Sequence, residues 1–176
     1  GLLVSSLLGA DVMDRLASFL ERYYLLHAAA PFLILLLAAH GILALRKAPS
    51  SARAQRALFD NMRALRHFDT WMWALQLVTG AAIVLLASIH LWVILTDLPI
   101  QAAKSGTRIF GVYLWFYLPF LLLVEAHASA GIYRIAVKWS QLGRSWAHAI
   151  LTVWMIIFLA LGFSVLAALY GIGAQS

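Results

Sequence analysis

Residues 124–139 read Val-Glu-Ala-His-Ala-Ser-Ala-Gly-Ile-Tyr-Arg-Ile-Ala-Val-Lys-Trp, and they close a long apolar run. A carboxylate, Glu125, and an imidazole, His127, therefore sit well inside a membrane span. A charge at that depth costs roughly 2.5–3.5 kcal/mol on insertion scales, so such residues are functional candidates by default. His127, Gly131, Arg134 and Lys138 follow at i, i+4, i+7 and i+11, which is one stripe of a helix.

The rest of the chain has the same character. Apolar residues make up 64% and charged ones 11%, a mixture that suits a membrane and not a soluble globule. With no cysteine, disulfides, iron–sulfur clusters within this chain and thiolate ligation of haem are excluded. Four apolar stretches, at roughly 23–45, 69–96, 109–135 and 146–171, exceed the ~20 residues that cross a bilayer. Pro119 is positioned to kink the third. Residues 1–9 are apolar but too short to span, and read as the end of a helix begun upstream. Residues 11–21 place Val12, Met13, Leu16, Phe19 and Leu20 opposite Asp11, Asp14 and Arg15, the pattern of a membrane-surface helix. The expectation is an all-α integral membrane helical bundle in one domain over 1–176. It has four full transmembrane helices and the end of a fifth, the first, truncated before residue 1.

The net charge of +6 does not point to nucleic acid, because the cations flank the spans. Arg46, Lys47, Arg53, Arg56, Arg63 and Arg66 lie between the first two full spans, where Leu58, Met62 and Leu65 mark a basic surface helix. With Arg134, Lys138 and Arg144 they give one side nine cations. Arg15, Arg22, Lys104 and Arg108 give the other side four. The nine-cation side is cytoplasmic by the positive-inside rule.

Helical rise, ~1.5 Å per residue, converts position into depth. His40 precedes Arg46 by six residues and His127 precedes Arg134 by seven, so both lie about 9–10 Å inside the cytoplasmic boundary. Two histidines at one depth on different spans can clamp a haem iron. Gly131 leaves room for the porphyrin, and Lys138 lies toward the propionates. His90 marks a second level roughly 15–20 Å away. The plainer reading of each histidine is a hydrogen bond to a neighbouring helix. His27, His67 and His148 read as interfacial, although His67 could also hold a propionate. Glu125 is about 200° round the helix from His127 and cannot share its face. It is either a protonated acid bonded to a neighbouring helix or a proton relay. Glu21, beside Arg22, is either a solvated charge or a base for a membrane quinol. Trp71, Trp73, Trp92, Trp115, Trp139 and Trp146 mark the interfaces, and Trp73 could also bond a propionate.

The 124–139 stretch resembles that of the dihaem cytochrome b subunits of quinol:fumarate and succinate:quinone reductases. So do Ala-His-Gly-Ile-Leu-Ala-Leu-Arg-Lys-Ala-Pro at 39–49, Leu-Arg-His-Phe-Asp-Thr at 65–70 and Ser-Ile-His-Leu-Trp at 88–92. The likeness extends over residues 4–140. It implies five transmembrane helices and two b haems. His40 and His127 match the axial ligands of the haem nearer the cytoplasm, and His90 matches one ligand of the distal haem. That haem's other ligand belongs on the first helix, just before Gly1, so either that helix is omitted here or His27 substitutes. Glu21 matches a glutamate required for menaquinol oxidation, and Glu125 one proposed to carry protons. Trp73, Lys138 and Arg108 match propionate partners.

The resemblance thus implies a multi-pass subunit of a bacterial cytoplasmic membrane. It takes electrons from menaquinol near the outer face and passes them through two haems to iron–sulfur and flavoprotein subunits that reduce fumarate. A dimer of such heterotrimers stays open. The alternatives are the reverse direction, as a succinate:menaquinone reductase, the cytochrome b anchor of another respiratory complex, and a haem-free helical bundle.

Overall fold

The computed structural model describes residues 2–46, 49–65, 67–139 and 143–175, and every regular element among them is helical. Lys47 and Arg66, two of the expected cytoplasmic cations, lie outside the described residues, as does the side chain of Trp139. The chain opens with a 3-10 helix, Leu2–Leu8. Helices α1 (Ala10–Arg22), α2 (Leu25–Leu45), α3 (Ala52–Leu65), α4 (Phe68–Thr96) and α5 (Ala102–Arg108) follow. A single π turn, Ile109–Tyr113, then leads into α6 (Leu114–Trp139), and α7 (Arg144–Gly173) ends the fold.

Four spans are long and apolar enough to cross a membrane: Leu25–Leu45, Phe68–Thr96, Ala102–Lys138 and Arg144–Gly173. They match the four expected from the sequence to within a few residues, except that the third begins earlier. α4 packs along α6 and α6 along α7, while α2 stands at the edge with nearly all its side chains exposed. Apart from His27 and His40, those exposed side chains are apolar, as a lipid-facing surface requires. Trp92 and Trp115 are exposed near the outer ends of α4 and α6. Trp71 and Trp146 are exposed near the opposite ends of α4 and α7.

Three local features add to the sequence reading. Residues 2–8 form a tight 3-10 helix. The Ser5 and Ser6 hydroxyls bond the carbonyls of Leu2 and Leu3, which supports the tighter turn. α1 is amphipathic as expected, but part of its apolar side lies on protein: Met13 is fully buried against Ala102, Ile109, Val165 and Leu169. Finally, α6 runs unbroken through Pro119. Proline there removes one hydrogen bond, to the Trp115 carbonyl, and the irregularity falls upstream, in the π turn around Gly111.

The outer end is tied together by two acids of α1. Asp14 accepts from the Ala102 amide at 2.6 Å, and Glu21 accepts from the Ile100 amide at 3.1 Å. The Ala102 amide is one of the orphan donors at the start of α5, so Asp14 satisfies it from another helix. Bare backbone lets α5 reach α7: a Cβ on Gly106 would lie 2.7 Å from the Gly173 nitrogen.

Candidate functional site

His40 on α2 and His127 on α6 face each other across the bundle. Their ring centres are 6.1 Å apart and their planes are inclined at 76°. Two imidazoles on one metal, each through a bond of about 2 Å, have ring centres roughly 6 Å apart, so this separation suits bis-histidine ligation. No group of three or more metal-ligating side chains occurs among the described residues. A haem needs none, because the porphyrin supplies the other four ligands. On α4, Thr79 brings its hydroxyl to 3.1 Å from His127 Nδ1, which leaves Nε2 for a metal. A Cβ on Gly80 would lie 3.0 Å from the same ring, so glycine is what lets the imidazole sit there.

The stripe read from the sequence continues past His127. Gly131 lies against Gln76 of α4, and the side-chain Oε1 of Gln76 accepts from Arg134. Lys138 is exposed one turn further on, and Trp73 is half-buried on α4. The cytoplasmic ends of three helices then meet at Asp69. Tyr133 of α6 donates to it at 3.0 Å and Arg144 of α7 at 3.3 Å. His148 packs on Tyr133 and Phe68 at 5.1 and 5.3 Å. His67 Nδ1 is 3.7 Å from Asp69, beyond hydrogen-bond range.

Toward the outer end, His90 of α4 bonds the Tyr117 hydroxyl through Nδ1 at 3.1 Å, with Phe120 as a second ring neighbour. His27 packs on Tyr24. Arg108 is engaged by Asp97 at 2.7 Å, and Lys104 meets the same carboxylate at 2.9 Å. Lys104's hydrogen bond first, then Arg108's, holds the Asp97 carboxyl below the usual aspartate range.

Glu125 lies on a different side of α6 from His127, as the spacing requires. It is 2% exposed; Oε1 accepts from Ser129 at 2.5 Å, and Oε2 has no partner among the described residues. Sequence reasoning missed Thr79, Gln76, Tyr117 and Asp69. Asp69 alone carried a signal, an acid in the first turn of a helix beside a histidine.

The profile of the family described as succinate dehydrogenase/fumarate reductase transmembrane subunit matches residues 52–167. The chain belongs to that family. Proteins named fumarate reductase cytochrome b subunit are similar to it. Those of two Helicobacter pylori strains are 40% identical over 149 residues, 78% of this chain and 58% of theirs. The one from Wolinella succinogenes is 34% identical over 143 residues, 76% of this chain and 56% of its own. The chain thus spans a little over half the length of these relatives. Membership of this transmembrane family agrees with the all-helical architecture and its four apolar spans.

Proposed function

We propose that this chain is the cytochrome b membrane anchor of a quinol:fumarate reductase, oxidising menaquinol on its outer side. The observation that carries the reading is the pair of imidazoles from two spans with ring centres 6.1 Å apart. The relatives' names favour the fumarate-reducing direction over succinate oxidation.

In this reading His40 and His127 hold the haem nearer the cytoplasm, with Trp73 and Lys138 toward its propionates. His90 holds a distal haem, with Arg108 toward its propionates. Bound b haem supplies one-electron chemistry within the apolar bundle, which spreads a two-electron quinol oxidation over two transfers. Glu21 accepts a proton from the quinol hydroxyl near the outer face. It lies between α1 and the Ile100 loop, already bonded to one backbone amide. Glu125 relays protons within the span, and its buried oxygen, without a partner among the described residues, supports that role. The dicarboxylate site belongs to a flavoprotein subunit. An iron–sulfur subunit docks on the basic face of α3 and the α6–α7 connection, on the cytoplasmic side of a bacterial cytoplasmic membrane.

The test is a dithionite-reduced minus oxidised spectrum of the purified complex, with haem quantified per copy of this chain. Low-spin b haem that falls by one equivalent in both His40→Ala and His127→Ala is the expected result. Absence of haem overturns the proposal. The haem count also decides the distal level. Two equivalents mean that the ligand set at His90 is completed, by His27 or by another segment, and a His27→Ala variant separates the two.

A further inference from the structure

We propose that Thr79 is the positioning residue for His127: it fixes the tautomer and plane of the imidazole so that Nε2 is the nitrogen presented to the iron. The inference rests on the haem reading above and deepens it.

Thr79 is buried in α4. Its hydroxyl lies 2.6 Å from the Leu75 carbonyl and 3.4 Å from the Gln76 carbonyl. A hydroxyl has one proton to give, and a backbone carbonyl can only accept. With that proton committed to the helix, the Thr79 oxygen meets His127 Nδ1 at 3.1 Å as an acceptor. The imidazole then carries its proton on Nδ1 and its free lone pair on Nε2. The next residue of α4 holds the ring from its side. A Cβ on Gly80 would lie 3.0 Å from Cε1 and 3.4 Å from Nδ1, so the ring rests against bare backbone.

Gln76, one turn earlier, keeps these contacts in register. It bonds Arg134 of α6 and lies over Gly131, so α4 cannot slide along α6 without breaking the Thr79–His127 contact as well. A hydrogen bond accepted from Nδ1–H makes the imidazole a stronger donor to the metal. A stronger axial donor favours the ferric state and lowers the reduction potential of that haem.

The experiment uses the intact complex with Thr79→Val, which keeps the shape and removes the acceptor, and Thr79→Ser, which keeps the hydroxyl. The readouts are the midpoint potential and electron paramagnetic resonance g-values of each haem, and haem retention on dilution. Thr79→Val is expected to raise the potential and shift the g-values of one haem only, and to weaken its retention about tenfold. Thr79→Ser is expected to restore all three. Unchanged potential and g-values in Thr79→Val overturn the inference, as does a Ser variant displaced as far as Val.

Should the Val complex not accumulate, the unmodified complex decides the matter. Electron–nuclear double resonance should detect an exchangeable, hydrogen-bonded proton on the remote nitrogen, and its absence overturns the inference. His127→Ala separates the two levels of argument. Full haem content in that variant removes the haem reading itself. Loss of one haem there, with a silent Thr79→Val, removes only the role of Thr79.

Discussion

Glu125 is shielded from water, yet among the described residues only one of its oxygens has a partner. An isosteric amide disturbs little there, because the Ser129 bond can persist and no second bond is lost. Glu125→Gln is therefore expected to change stability by less than about 1 kcal/mol. It should leave haem content intact and slow menaquinol-driven fumarate reduction about a hundredfold, a loss typical of removing a proton-transfer group. Normal turnover in that variant would take Glu125 out of the mechanism. Glu21→Gln should likewise stop quinol oxidation while haem content and fumarate reduction by an artificial donor persist. Quinol oxidation at the parental rate would leave Glu21 only its bond to Ile100. The depth of Glu125 was legible in the sequence, but its partner is Ser129 of its own helix and not a group on a neighbouring one. The Glu21–Ile100 bond was not legible, since it joins residues 79 positions apart. Thr79 was equally hidden, because a threonine in an apolar helix looks like filler until the register of α4 against α6 is known.

At the scale of elements, the tightest junction is between α5 and α7. A Cβ on either Gly106 or Gly173 would run into the backbone of the other helix, where no flexible side chain can give way. Close backbone approach through small residues is a common basis of helix association in membranes. Gly106→Ala is expected to cost about 1–3 kcal/mol through overpacking. A lowered melting temperature of the detergent-solubilised complex would register that loss. The matching control is Gly162→Ala, where the clash is with the end of the Leu121 side chain, and the cost should be smaller. Composition showed that these stretches are spans. It could not show that the span beginning at Ala102 passes through a π turn before Leu114, because that depends on how α5 docks on α7.

For the whole molecule, the charge asymmetry gives a topology that the absence of cysteine makes simple to test. Ser50→Cys should react with an impermeant maleimide only from the cytoplasmic side, and Ala103→Cys only from the outer side; the reverse pattern would invert the proposed orientation. The outer side also carries the Asp97–Lys104–Arg108 cluster. The Asp97 pKa is lowered in the folded protein, chiefly by the Lys104 hydrogen bond. Its contribution to stability is therefore present above the ordinary aspartate pKa of about 4 and lost as pH falls through the lower folded value. Thermal melts of parent and Asp97→Asn should converge in acid and separate toward neutral pH, and the separation should shrink in high salt. A separation that persists in acid would mean that the carboxylate's charge is not what matters there. By itself, the sequence determined that this chain is a helical membrane protein with four long spans, and that its intramembrane histidines lie at two depths. Those properties follow from hydrophobic length, flanking charge and a fixed rise per residue, all of them local. Only the tertiary structure decided which polar groups meet: Thr79 with His127, Tyr117 with His90, Glu21 with Ile100, and Asp69 with Tyr133 and Arg144. Such pairings depend on the rotation and register of one helix against another, and those are set by glycine gaps and side-chain packing that periodicity along a single strand of sequence does not encode.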